Sequence, residues 1–278
     1  MKMHNDCLPC IARGGLDAAK LATDDERLQL KIVKKVLKEL CIFDLNSPPP
    51  LMAMFIQRIV KEITGVSDPY YSIKKKYNDF ALDLYPELEK KVKSSSFETA
   101  VRLCIAGNII DFGTHNRVGK KKVLDTIRES LTMDINGAVK PFKDASQKAK
   151  KILWIADNAG EIVFDKLLLD KMDQDKIVYA VRGGPTQNDA TFADAEYTGI
   201  TQMVNVIDTG AAIPGVILKY CSDRFKKYYD QADMIISKGQ GNFETLDHTD
   251  PRIFFLFKTK CPVVARYAGC RLNDIVIK

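Results

Sequence analysis

Three histidines in 278 residues leave little for histidine-based catalysis. They stand far apart, at His4, His115 and His248, and no Ser/His/Asp triad can be assembled around them. No stretch approaches the roughly 20 apolar residues of a membrane span. The opening Met1-Lys-Met-His-Asn-Asp-Cys7 lacks the apolar core of a secretory signal, so a cytoplasmic protein is expected. Neither a P-loop nor a GxGxxG follows the first candidate strand, which disfavours ATP-dependent and NAD-dependent chemistry. Internal repeats and low-complexity segments are also missing.

Cysteine is present in an odd number, seven, and most copies sit among apolar neighbours, as Cys41 and Cys104 do. They read as reduced core residues in a reducing compartment. Cys7-Leu-Pro-Cys10 is the exception, with redox or zinc spacing. Zinc needs further soft ligands and only His4 is near, while a thioredoxin-type motif needs a βαβ unit that this stretch lacks. A structural or partial metal role is expected there.

The composition, 46% hydrophobic and 28% charged, is that of an ordinary globular protein. The net charge of +6 is spread over short clusters, Lys74-Lys-Lys76, Lys120-Lys-Lys122 and Lys148-Ala-Lys-Lys151. Without a recognition motif these are solvated faces rather than a nucleic-acid surface, and the same bias suits a small anionic substrate. The pattern gives no oligomeric state.

The first half reads as helical. Asp24-Asp25-Glu26 opens a stripe of Leu28, Ile32, Val33, Val36, Leu37 and Leu40, with acids where the helix dipole favours them. Ser47-Pro-Pro-Pro50 separates it from Leu51 to Thr64, which closes at Gly65, and Tyr70 to Leu84 and Ser96 to Ile110 continue the pattern. After about residue 150 the period changes. Ile152 to Ala156, Ile177 to Val181, Met203 to Ile207, Met234 to Ser237 and Val263 to Ala265 are short apolar runs with amphipathic segments between several of them. Strands alternating with helices predict a Rossmann-like three-layer α/β/α core with a parallel-rich sheet. A helical N-terminal region over 1–138 and a Rossmann-like α/β core over 139–278, expected from the loops described next to bind metal and phosphate, are divided in the stretch Asn136 to Ala145.

Four polar loops follow four of the strands: Asp157-Asn158-Ala-Gly-Glu161, Arg182-Gly183-Gly184-Pro-Thr-Gln-Asn188-Asp189, Asp208-Thr-Gly210, and Lys238-Gly239-Gln-Gly241-Asn242-Phe-Glu244. Taken singly, each can be a helix cap or a tight turn. In a parallel sheet all four open on one edge, where ligands bind. Asp157, Asn158 and Asp189 offer two carboxylates and an amide suited to a divalent cation. Lys238 offers a charge for a phosphate, and Gly183, Gly184, Gly239 and Gly241 would let backbone N–H groups approach anionic oxygens. That is equipment for phosphoryl transfer to water, with a metal-activated water or an Asp as nucleophile. In the helical half, Gly107-Asn108-Ile-Ile-Asp111 interrupts an apolar helix, either as a helix end or with Asn108 and Asp111 facing the loops.

The four segments Asp157-Asn-Ala-Gly-Glu161, Gly184-Pro-x-x-Asn188-Asp189-Ala-Thr191, Lys238-Gly-Gln-Gly-Asn-x-Glu244 and Gly107-Asn-x-Ile-Asp111 together resemble the metal-dependent damage-control phosphatases. With the Cys7-x-x-Cys10 start, the chain is similar to their prokaryotic and archaeal branch. The resemblance implies a helical part on an α/β/α core and hydrolysis of phosphate monoesters of small metabolites, sugar phosphates or damaged phosphometabolites. It implies a divalent metal (Mn²⁺, Mg²⁺, Co²⁺ or Ni²⁺) on Asp157, Asn158 and Asp189, with Asp157, Asn158 and Lys238 catalytic. Asn108, Asp111, Glu161, Arg182, Gly183, Gly184, Asn188, Gly239, Gly241, Asn242 and Glu244 are the expected substrate-side residues. Carboxyl methylation with S-adenosylmethionine and non-catalytic binding of a metabolite or metal are the alternatives.

Overall fold

The computed structural model describes residues 1–110, 120–246 and 250–278; Asp111, His115 and His248 lie outside them. The N-terminal helices are α1 (Cys7–Ala22), α2 (Glu26–Ile42), α3 (Pro50–Thr64), α4 (Tyr71–Lys93) and α5 (Phe97–Ala106). Their ends follow local chemistry. The Asp25 carboxylate accepts from the N–H groups of Arg27 and Leu28, and the Ser96 hydroxyl accepts from that of Thr99. Proline stands in the first turn of α3, and Gly65 closes that helix at φ 77°.

Helices α1–α3 bury a cluster of their own, including Ile32, Val36, Met52, Ile59 and Val60. In contrast, α4 and α5 share a cluster with the sheet, through Ala81, Leu84, Leu103 and Ile105.

The remaining elements alternate: α6 (Lys120–Ser130), β1 (Ile135–Asn136), α7 (Val139–Lys148), β2 (Ile152–Ile155), α8 (Glu161–Leu169), β3 (Ile177–Val181), α9 (Phe192–Tyr197), β4 (Asn205–Asp208), α10 (Asp223–Gln231), β5 (Met234–Lys238), α11 (Gln240–Leu246), β6 (Ile253–Lys258), α12 (Pro262–Ala268) and β7 (Ile275–Ile277). The sheet order is β1-β7-β6-β5-β2-β3-β4, with β2 to β6 mutually parallel and β7 antiparallel to β6. Every residue of β2 is buried, Ile152 and Trp154 on one face and Leu153 and Ile155 on the other. Both faces are therefore covered, by α4, α5 and α8 on one side and α10, α11 and α12 on the other. This is the expected three-layer α/β/α fold.

Two expectations need correction: Cys41 is exposed on α2 rather than part of a core, and one expected strand is a helix. Val263 to Ala265 lies inside α12, started by Pro262 at its first position. The last parallel strand is instead Ile253-Phe-Phe-Leu-Phe-Lys258, and β1 and β7 add an edge. Three small apolar residues carry no period that separates helix from strand.

Register places the chemistry. Ile155 pairs with Ala180 on one side and Ser237 on the other, so β2, β3 and β5 end level. From β2 the chain proceeds to β3 and β4 on one side and later to β5 and β6 on the other. The reversal opens a crevice at the carboxyl ends of β2 and β5.

Candidate active site

The turns after β2 and β3 are joined backbone to backbone. Asn158 and Asp189 form an antiparallel β-bridge, the Ala190 N–H donates to the Asp157 carbonyl at 2.8 Å, and the Ala159 N–H donates to that of Asn188 at 2.9 Å. Asp157, Asn158 and Asp189 are thereby held together, all three buried. Arg182, fully buried at the end of β3, lies between the two carboxylates. Its Nε donates to Asp189 Oδ2 at 2.5 Å, and a terminal nitrogen stands 3.6 Å from Asp157 Oδ1. Asn108 Nδ2 reaches the cluster from the turn after α5, donating to Asp157 Oδ2 at 3.1 Å and Glu161 Oε2 at 2.7 Å.

Gly239 completes this corner from β5. It has φ 80°, and a Cβ there would stand 1.8 Å from Asp157 Oδ2. Only glycine lets β5 turn this close to the carboxylate.

A second polar layer lies beneath. Lys238 Nζ donates to Glu161 Oε1 at 2.8 Å, Asp165 Oδ1 at 2.5 Å and the Cys104 carbonyl at 3.3 Å. Asp165 Oδ2 accepts from Tyr179 Oη at 2.6 Å and Trp154 Nε1 at 3.2 Å. Burial alone would lower the Lys238 pKa, yet Asp165, Cys104 and Glu161 hold it well above the usual lysine range.

The two layers place four carboxyls, Asp157, Glu161, Asp165 and Asp189, beside two buried cations, Arg182 and Lys238. Full ionisation leaves an excess of two negative charges, which one divalent cation would balance. Burial, with Glu161 and Asp189 close by, pushes the Asp157 carboxyl well above the ordinary range. The side-chain Oδ1 of Asn108 is buried without a hydrogen-bond partner among the described residues. No three His, Cys, Asp or Glu side chains among the described residues form a ready-made cage. The donor set is a mixed one, carboxylates with amides, which suits a hard cation that keeps several waters.

Above the cluster opens a cavity of about 340 Å³. Asn108, Asp157, Asn158, Asn188 and Asp189 line it together with Lys260, the exposed residue after β6. Lys260 acts electrostatically on Asp157, pulling its pKa down. The lining also draws on α1, α3, α11 and α12, and includes Cys7, Cys10, Gln240, Cys261 and Glu244.

Residues 3–276 match the model of the damage-control phosphatase ARMT1-like domain. The chain belongs to the damage-control phosphatase family. It is 36% identical to a damage-control phosphatase of Pyrococcus horikoshii, over 96% of this chain and 94% of that one. It is 34% identical to a damage-control phosphatase of Archaeoglobus fulgidus, over 100% and 99% respectively. An uncharacterized protein of Methanocaldococcus jannaschii is 37% identical over 100% of this chain and 95% of its own length. The crystal structure of a DUF89 family protein from Pyrococcus horikoshii superposes with a TM-score of 0.90 at 32% identity, covering 100% of this chain and 98% of that one.

Within this damage-control phosphatase family member the structure gathers Asn108, Asp157, Asn158, Asn188, Asp189, Gly241 and Glu244 around one cavity. The other expected residues, Lys238, Glu161, Gly183, Gly239, Asn242, Arg182 and Gly184, lie outside that lining. Lys238 is sealed below the site with its ammonium protons engaged, so it positions Glu161 instead of meeting a phosphate. Glu161 in turn accepts from both Asn108 and Asn158, orienting the amides from beneath. The N–H groups of Gly183 and Gly239 are taken by the carbonyls of Ala211 and Leu256, leaving neither for an anion. Asn242 Nδ2 staples the carbonyls of Ala156 and Lys238, tying β2 to β5. Arg182 contacts the carboxylates from within, and Gly184 packs beside Ala212.

Two contributors were missed in the sequence. Lys260 follows β6, and reading Ile253 to Lys258 as a strand would have placed it on the same edge as the other loops. Asn78, buried on α4, accepts from the Gly160 N–H at 2.6 Å and donates to Asp194 at 2.9 Å, fixing the turn after β2. No sequence signal marks it.

Proposed function

We propose that this protein is a divalent-metal-dependent phosphatase that hydrolyses phosphate monoesters of small metabolites. The observation that carries the reading is the buried pair Asp157 and Asp189, bridged by one guanidinium and lying beside two amides, with a net excess of negative charge facing a cavity. Relatives named damage-control phosphatases support the hydrolytic assignment.

Asp157, Asn158 and Asp189 are the residues that would hold Mn²⁺, Mg²⁺, Co²⁺ or Ni²⁺. When bound, such an ion supplies charge neutralisation and a more acidic water. The remaining work falls to the chain. Arg182 fixes the orientation of both carboxylates, and Glu161, itself held by Lys238, orients the amides of Asn108 and Asn158. Lys260 lines the same cavity, close enough to act on Asp157, and meets the phosphate dianion, the role first expected of Lys238. The closed backbone between residues 157–159 and 188–190 keeps these groups at fixed separations, so charge is met without reorganisation.

The test is inorganic phosphate release from a panel of phosphomonoesters after chelation, then with each of the four metals restored. Turnover that disappears on chelation and returns with one or more metals supports the reading. Turnover that ignores chelation, or its absence with every metal and ester, overturns it.

A further inference from the structure

We propose that Asn78 and Asp194 form a strap that sets the geometry of the metal ligands from behind, so that Mn²⁺ affinity depends on two residues outside the cavity lining. The inference rests on the metal-dependent phosphatase reading above and adds two positioning residues to it.

The strap is a continuous chain of hydrogen bonds. The Gly160 N–H donates to Asn78 Oδ1 at 2.6 Å, and Asn78 Nδ2 donates to Asp194 Oδ1 at 2.9 Å. Asp194 Oδ2 accepts from the Thr191 N–H at 2.9 Å and from the Thr191 hydroxyl at 2.7 Å. Gly160 stands two residues after Asn158, and Thr191 two residues after Asp189. Two side chains thus tie down both turns, at matching positions beyond the proposed ligands.

The anchor is α4. The buried face of that helix is apolar at Ala81, Leu84, Leu88 and Val92 but polar at Lys74 and Asn78. Its apolar part belongs to the core shared with the sheet, so Asn78 stands on a rigid support. Lys74 Nζ lies 2.8 Å from Asp68 and 3.4 Å from Asp194, and supplies the counter-charge that a buried carboxylate requires. A buried amide and carboxylate destabilise a fold unless their hydrogen bonds are made. Those of Asn78 and Asp194 end on the two turns that carry Asp157, Asn158 and Asp189.

The backbone pairing between the turns does not make the strap redundant. The two bonds of that pairing fix the separation of the turns and define an axis about which they can still tilt together. The strap adds attachment to α4, away from that axis, and removes the tilt. Residues behind metal ligands that fix their orientation typically govern about 10–100-fold in metal affinity or activity.

The experiment is calorimetric titration of Mn²⁺ into the chelated full chain and its variants. Asn78→Asp keeps an acceptor for the Gly160 N–H but sets a second carboxylate against Asp194. Asp194→Asn leaves a donor facing a donor whichever way its amide turns. Each is expected to raise the Kd for Mn²⁺ by about tenfold or more. The double variant Asn78→Asp with Asp194→Asn exchanges amide and carboxyl, sets a donor opposite an acceptor at both links, and should recover most of that loss. Thr191→Val removes a single hydroxyl donor while keeping the side-chain shape, so it stays folded even where a single charge change does not. It should weaken binding several-fold. Asp68→Asn takes an ion-pair partner from Lys74 without cutting the strap and should leave the Kd unchanged. Denaturant melts of the chelated proteins report stability separately, because a merely structural role would lower stability and leave the Kd alone.

A parent-like Kd in Asn78→Asp or in Thr191→Val would overturn the strap and leave the metal-dependent reading standing. So would a loss of affinity that the paired exchange, once folded, does not recover. No binding of Mn²⁺ by the parent would overturn that reading, and the strap with it.

Discussion

Asn158 and Asp189 face one another across a β-bridge although they belong to the turns after different strands. That bridge converts two loops into one rigid floor. It also makes the geometry of the proposed metal ligands a property of backbone pairing instead of side-chain flexibility. Ligands placed in this way lose little entropy when a cation binds.

Metal binding should therefore appear as stability. A cation that binds only the folded chain adds about 2.7 kcal/mol at a concentration 100 times its Kd. Thermal melts with and without saturating Mn²⁺ should separate accordingly. In Asp157→Asn, the metal-dependent shift should vanish while the melting temperature of the chelated protein rises, because a like-charged carboxyl leaves the buried cluster. A chelated variant less stable than the parent would contradict the charge excess argued here.

The two lysines near the site should behave oppositely. Lys238→Met leaves Glu161 and Asp165 uncompensated inside the fold, and breaking such a buried arrangement costs about 3–5 kcal/mol. Lys260 is exposed, so Lys260→Met should change stability by less than about 0.5 kcal/mol. Its effect should be on KM, with a rise of roughly tenfold or more, corresponding to the loss of a charge-assisted contact to phosphate. Denaturant melts and steady-state kinetics on the two variants separate the roles.

Gly239→Ala places a methyl against the Asp157 carboxylate and holds alanine at positive φ. The backbone strain is of order 1–3 kcal/mol. Displacement of Asp157 should weaken Mn²⁺ binding, measured calorimetrically, by more than any loss of global stability explains. Unchanged affinity would show that the close approach does not position the carboxylate.

Glu244 gives a pH signature. Burial raises its carboxyl from an ordinary 4.5 to about 7 in the folded protein. The folded state then holds a proton that the unfolded chain has released. Its contribution to stability is full below about pH 4.5 and declines as pH rises through 7. Glu244→Gln should remove this decline, so the variant gains on the parent between those values by about 3 kcal/mol. Parallel stability curves across that window would contradict the shift.

The sequence made the architecture largely legible because β2, β3 and β5 are short apolar runs that end in turn residues, and because α2 and α3 carry clear caps. It also singled out Asp157, Asn158 and Asp189, since polar loops after parallel strands open together on one edge of the sheet. What it concealed is depth. A lysine after a strand looks the same whether it meets solvent, as Lys260 does, or lies sealed under the site, as Lys238 does. The difference is set by Glu161, expected on the substrate side, and by Asp165, which the helical pattern of α8 presents as an ordinary charged position. Likewise Asn78 and Gly160 are brought together by packing of α4 on the sheet, a contact with no local signature.

The most direct test of the central claim is Mn²⁺ binding paired with phosphate release in Asp189→Asn, with circular dichroism confirming the fold. The account predicts that the protein binds one Mn²⁺ and releases phosphate in proportion to its occupancy, and that the variant keeps the fold while losing both. Full Mn²⁺ binding or undiminished turnover in that variant would contradict it.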